Sequence, residues 1–192
     1  MAGGPLRQYL VGENCPLTWD QRINIVAKVV EGLSFLHSAT GSKTALVHGN
    51  LKPDNVLLSG DLRSVRLSDF GYTPAPASQQ MMQDTANNHL DPTVRRTGVF
   101  TPESDVYSLS VIMLELLTGK LSAANEGIVT KVRVMIHEGR LGECGDATEG
   151  WNAGALSTFA KLARKGTAKN QSQRPTLARI AKELALIQVA QG

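Results

Sequence analysis

The chain has 192 residues, a net charge of +3 and 42% hydrophobic residues, enough to bury the core of one domain and too apolar for a disordered tail. Its Lys and Arg are scattered along the sequence, without the basic stripe and interleaved aromatics of a nucleic-acid partner, so a solvated surface is the reading of its charge. Cys15 and Cys144 stand far apart and outside any C-x-x-C arrangement, which argues against a disulfide framework or zinc site. No cationic leader opens the chain, and no window approaches about 18 uninterrupted apolar residues, so a reducing compartment is expected and a membrane segment is not.

In chain order, Thr18-Trp19-Asp20-Gln21 has the form of a capping box, a hydroxyl and a Gln that can each satisfy the other's free backbone N–H, so a helix is predicted to start there. Ile23, Val26, Val29, Val30, Leu33 and Leu36 recur at helical spacing, and the pattern ends near Ser38 to Gly41. A polar loop, Ser38 to Thr44, leads into Ala45-Leu46-Val47, read as a short strand. Val56-Leu57-Leu58 and Val65-Arg66-Leu67 flank the turn-forming Ser59-Gly60-Asp61 and read as a hairpin. Tyr72 to Gln80 has no periodicity, as expected of a mobile loop.

Ser104 to Gly119 reads as an N-cap, a helix apolar around much of its circumference and a closing glycine, hence a buried helix. Ile128 to Glu138 and Ala155 to Lys165 are amphipathic helix candidates on either side of a glycine-rich, acidic loop, Gly139 to Gly154. Thr176 to Val189 is the last, with Ile180, Leu184 and Leu186 on its apolar positions. No internal repeat or second domain is apparent, so residues 1–192 read as one mainly α unit with a short β-hairpin.

The chemistry lies in His48-Gly49-Asn50-Leu51-Lys52-Pro53-Asp54-Asn55, followed after the hairpin by Asp69-Phe70-Gly71. This resembles the catalytic and metal-binding core of a protein kinase, H-R-D-L-K-x-x-N and then D-F-G. The resemblance implies a kinase-like C-terminal lobe and Mg²⁺-ATP chemistry, in which protein groups chiefly position the metal and the acceptor hydroxyl. Asn55 and Asp69 match the family's metal and nucleotide ligands. Lys52 matches the lysine whose charge offsets that on the transferred phosphoryl group. At the catalytic base, however, the family has Asp and this chain has Asn50, whose amide takes up no proton near neutral pH. Gly49 replaces the arginine that in many kinases pairs with a phosphorylated activation loop. His48 is expected to be a packed, hydrogen-bonded strut, with Phe70 and Gly71 also structural.

The resemblance extends along the chain. Ser104 to Gly119 is similar to the central helix of the kinase C-lobe, in which the residue matching Asp105 holds the catalytic-loop backbone. Asn88-His89-Leu90-Asp91-Pro92-Thr93 resembles the segment closing the activation loop in plant receptor-like kinases and Pelle-like relatives. Thr93 stands where those relatives carry a Glu that pairs with an arginine matched here by Arg174, so Arg174 is expected to lose its partner unless Asp91 or another carboxylate substitutes. Met1 to Leu10 resembles the stretch just after the kinase hinge, and no G-x-G-x-x-G occurs, so the chain reads as a C-lobe without its N-lobe.

His48-Gly49-Asn50 is similar to the H-G-N of one group of atypical plant leucine-rich-repeat receptor-like kinases; plant kinases with a U-box are the second match. The resemblance implies a pseudokinase C-lobe that docks signalling proteins or a missing N-lobe, without nucleic acid or a membrane segment, in the cytoplasm. Its alternative is the catalytic half of a Ser/Thr kinase whose N-lobe is encoded upstream. Binding of Mg²⁺ and ATP is expected to be weak or absent in this chain. Apolar residues near Leu6, Leu57 and Phe70 are expected to lie open to water on the face that an N-lobe covers.

Overall fold

The computed structural model describes residues 3–11, 17–41, 44–70, 88–122, 127–143 and 152–189. Seven helices and three short strands occur among them. In chain order these are β1 (Gly4–Pro5), α1 (Arg7–Val11), α2 (Trp19–His37), β2 (Val56–Leu58), β3 (Val65–Leu67), α3 (Pro92–Thr97), α4 (Pro102–Thr118), α5 (Ile128–His137), α6 (Ala153–Gly166) and α7 (Leu177–Val189). The mainly helical architecture with a small antiparallel sheet matches the expected lobe.

The capping box forms as read: Gln21 N–H donates to Thr18 Oγ1 and Thr18 N–H to Gln21 Oε1. The apolar stripe of α2 is buried from Ile23 to Leu36. Arg22, on the same helix, is buried as well, and its guanidinium donates to the carbonyls of Leu17 (2.8 Å) and Leu116 (2.5 Å). Spending a charge on two carbonyls ties the start of α2 to the end of α4.

The start of α4 needs a correction. The cap is Thr101, not Ser104: Pro102 takes the first helical position, where a missing N–H leaves no bond unmade, and Ser104 closes a capping box with Thr101. Fourteen of the seventeen residues of α4 are buried, as its all-round apolarity requires. It packs against α2, α5 and α6, while α7 lies across α2 and α6. Trp19 meets Phe159 edge to face, 5.5 Å between ring centroids, and joins α2 to α6.

The helices α4 and α6 cross closely at Gly166. A methyl group there would come within 2.8 Å of Ser110 Cβ and closer still to its Oγ. Gly166→Ala is therefore expected to destabilise the chain by about 1 to 3 kcal/mol despite alanine's better helix propensity, read as a fall in the urea midpoint.

The hairpin pairs Val56 with Leu67 and Leu58 with Val65, and the chain returns through Ser59 to Ser64, with Ser59 N–H bonded to Ser64 O at 3.0 Å. Sequence reading missed β1, which adds a third strand by pairing Gly4 with Leu58 and Pro5 with Leu57. With its two residues, β1 is too short to carry an alternation. It also overturns the expectation for Leu6: anchored through its N–H to Val56 O (2.8 Å), Leu6 is fully buried, while Leu57 is half-buried and Phe70 is 52% exposed. Nor is Ala45-Leu46-Val47 a strand. It meets no ladder partner among the described residues, and Leu46 instead donates to Leu36 O at the end of α2 (2.8 Å).

Candidate functional site

The site is the loop between α2 and β2 together with the residues just after β3. Asp105, in the first turn of α4 and buried, fixes the loop: Oδ2 accepts from His48 N–H (2.7 Å) and Oδ1 from Gly49 N–H (2.9 Å). Sequence reading assigned no part to His37, the last residue of α2, yet its Nε2 lies 2.8 Å from the same Oδ2. One carboxylate thus joins two helices to the loop. The loop turns at Gly49, whose φ of 72° lies in the left-handed region that glycine takes without strain.

His48 is fully buried; Nδ1 accepts from Asn50 N–H (3.3 Å), and the ring meets Phe70 edge to face at 6.4 Å. Burial pushes its pKa down against the nearby Asp105 charge, so the ring is held neutral. Beyond Asn50 the chain passes Lys52, half-buried and without a hydrogen bond or ion pair from its ammonium to any described residue. It then tightens into a 3₁₀ turn, Pro53–Asn55, that delivers Asn55 to the start of β2.

Asn50, Asn55 and Asp69 come together. Asn50 Nδ2 donates to Asp69 Oδ2 at 2.5 Å, and Asn55 Nδ2 donates to Asn50 O at 2.7 Å and reaches Asp69 Oδ2 at 3.5 Å. An ionised carboxylate only accepts, so the atoms facing it are the amide nitrogens. Asp69 has a φ of 57°, left-handed backbone that Asp tolerates better than most residues and that concentrates at functional positions. Phe70 follows it, and Gly71 lies outside the described residues, as does the loop from Tyr72 to Gln80.

A resident Mg²⁺ does not fit this arrangement. Two neutral amides already face one oxygen of Asp69. The chain's own donors here are Asp69 and the Asn55 amide oxygen, so an octahedral Mg²⁺ would need nucleotide phosphates and waters for its remaining positions.

A second buried polar centre lies below. Asp91 caps α3, accepting from Thr93 N–H (2.8 Å), and its two oxygens take both terminal nitrogens of Arg174, at 2.5 and 3.0 Å. Arg174 also donates to Ala168 O and Glu103 O, and its guanidinium lies over the Tyr107 ring, 5.1 Å from the centroid. Arg174 therefore keeps a partner although Thr93 is not an acid. Burial raises the Asp91 pKa, but the bonds from Arg174, Gln171 and the Thr93 N–H outweigh it and leave the carboxyl below its ordinary value.

A helical lobe carrying this loop and hairpin is the architecture of a protein kinase C-lobe. The protein kinase domain family matches residues 1–185, and the chain belongs to that family. Its relatives place it among the plant receptor-like and Pelle-type kinases. It is 31% identical over 205 residues to a putative leucine-rich repeat receptor-like protein kinase of Arabidopsis thaliana (96% of this chain, 22% of that protein). It is 34% identical over 194 residues to U-box domain-containing protein 70 of Oryza sativa subsp. japonica (92% of this chain, 23% of that protein). Among solved structures it resembles the pseudokinase domain of BIR2, an immune regulator of the RLK/Pelle family, with a TM-score of 0.82 and 26% identity over 100% of this chain and 59% of that one. The chain thus spans less than a quarter of the two curated relatives.

Proposed function

We propose that the chain works as a pseudokinase C-lobe, an interaction module in signalling on the cytoplasmic side of a membrane or in the cytoplasm, and does not itself transfer phosphate. One observation carries this reading: at the position of the family's catalytic base stands Asn50, and its amide donates to Asp69, the residue matching the family's charged metal ligand. The amide takes no proton from an acceptor hydroxyl. It also satisfies Asp69 Oδ2 without a cation, so the metal-free state is hydrogen-bonded and not a cluster of unmet charge.

In this reading Asp105 and His48 keep the loop rigid, and Arg174 with Asp91 supports the lobe beneath. Lys52, Asn55 and Asp69 are the retained parts of a nucleotide site, with Phe70 and Gly71 beside them. Their retention favours a second reading, the catalytic lobe of an ATP-dependent Ser/Thr kinase completed by an N-lobe encoded upstream.

Phosphoryl transfer by a chain fused to a compatible nucleotide-binding lobe separates the two, since only the second reading expects appreciable transfer with Asn50 in place, and calorimetric titration tests the nucleotide site of this chain. Mg²⁺-ATP is expected to bind at roughly millimolar affinity or weaker, because no glycine-rich phosphate loop occurs in the chain and Asn55 and Asp69 alone hold few of the nucleotide's contacts. Appreciable transfer would sink the proposal and favour the catalytic reading, and micromolar affinity would overturn the expectation for the nucleotide site.

A further inference from the structure

Basic residues scattered along the sequence are gathered by the fold around two adjoining clefts. The larger, about 770 Å³, lies between α5, α6 and the start of α7 and is lined by Arg133, Arg164, Lys165 and Arg179. The second, about 530 Å³, shares Arg133 and Arg174 with the first and adds Arg96 and Lys169. Asp91 is the one carboxylate lining either cleft among the described residues, and Arg174 occupies both its oxygens. Arg179 pairs with Glu183 at 3.0 Å. Arg96, Arg133, Arg164, Lys165 and Lys169 are exposed and form no ion pair among the described residues. Thr176, where α7 is about to begin, lines the larger cleft, so the positive end of that helix dipole adds to the field.

We infer that this double cleft docks a phosphorylated segment of a partner protein. Like charges concentrated in a concave surface focus a positive potential that favours an anionic occupant. Guanidinium forks match phosphate oxygens two at a time, which singly charged carboxylates of a plain acidic peptide reward less. Base stacking needs open aromatic faces, and the sole aromatic lining either cleft, Tyr107, is buried beneath Arg174, which disfavours a nucleic acid. A bilayer is flat where this surface is concave. The inference deepens the interaction-module reading by giving the partner's chemistry, and it needs no nucleotide at the loop of Asn50.

The test is fluorescence anisotropy of the full chain with a short synthetic peptide carrying two phosphoserines, beside its unphosphorylated twin, at about 0.15 M salt. The phosphorylated peptide is expected to bind at least about tenfold more tightly and to weaken as salt is raised. The double variant Arg133→Gln, Arg164→Gln, checked for an unchanged melting curve, is expected to lose about tenfold or more. Equal binding of the twin, or full binding by the variant, overturns the inference. So does a preference for anionic vesicles or single-stranded DNA over the phosphopeptide. Failure here leaves the ATP titration standing, and micromolar ATP affinity leaves this result standing, so the two proposals fail separately.

Discussion

Asn50→Asp, in a chain fused to a compatible nucleotide-binding lobe, is expected to raise phosphoryl transfer by about 10²-fold or more, because a positioned base is worth about that much in the transition state. Nucleotide affinity is expected to stay nearly unchanged. In the chain alone the same substitution has the opposite sign. It exchanges the 2.5 Å amide-to-carboxylate bond at Asp69 for two facing carboxylates, a pair that resists joint ionisation. The metal-free protein is expected to lose about 1 to 2 kcal/mol in urea denaturation, with part regained on adding Mg²⁺. Asp69→Asn in the fused protein is expected to weaken Mg²⁺-nucleotide binding. Equal transfer rates with Asn50 intact and replaced would show that the base assignment is wrong, and the pseudokinase reading would then lose its carrying observation.

Asp91→Ala is expected to cost about 3 to 5 kcal/mol of unfolding free energy, enough to unfold a marginal domain. It leaves the Arg174 guanidinium buried without its counter-charge and removes the α3 cap at the same time. Arg174→Met combined with Asp91→Leu is expected to cost much less than either single loss, since no unpaired charge remains. The pair also sets a pH dependence. The folded Asp91 carboxyl lies below its ordinary value, so its contribution is complete above about pH 4 and is lost as pH falls through the lower folded value. Urea titrations between neutral pH and about pH 3 would follow the loss in the wild type, and the double apolar variant is expected to lack that component. A wild-type profile identical to the variant's would remove Asp91 from the account of acid stability.

Much of the lobe was legible because its signals are local. The capping box at Thr18, the spacing of Ile23 to Leu36, the all-round apolarity of α4 and the two runs of the hairpin each specify an element within a few residues. A hairpin as short as the one between Asn55 and Asp69 returns the second towards the first, whereas the bond from Asn50 to Asp69 became visible only in the fold. What escaped was non-local. A two-residue strand has no period, so β1 and the burial of Leu6 became visible only against β2. The role of His37 depends on Asp105, 68 positions away. The Asp91 partner of Arg174 was left open, because only the folded turn shows which carboxylate is aimed at the guanidinium, 83 positions away. The basic clefts were missed for the same reason: arginines on α5, α6 and α7 are neighbours only after the helices pack.

The helix α4 has no solvent face along most of its length. A segment enclosed by α2, α5 and α6 cannot fray by itself, because every neighbour must withdraw before water reaches its amides. Deuterium uptake from Leu109 to Leu116 is therefore expected to track the free energy of unfolding the whole lobe, so one peptide from α4 suffices to read global stability. Uptake in α5, whose outer residues are exposed, reports smaller openings that leave the rest of the lobe intact.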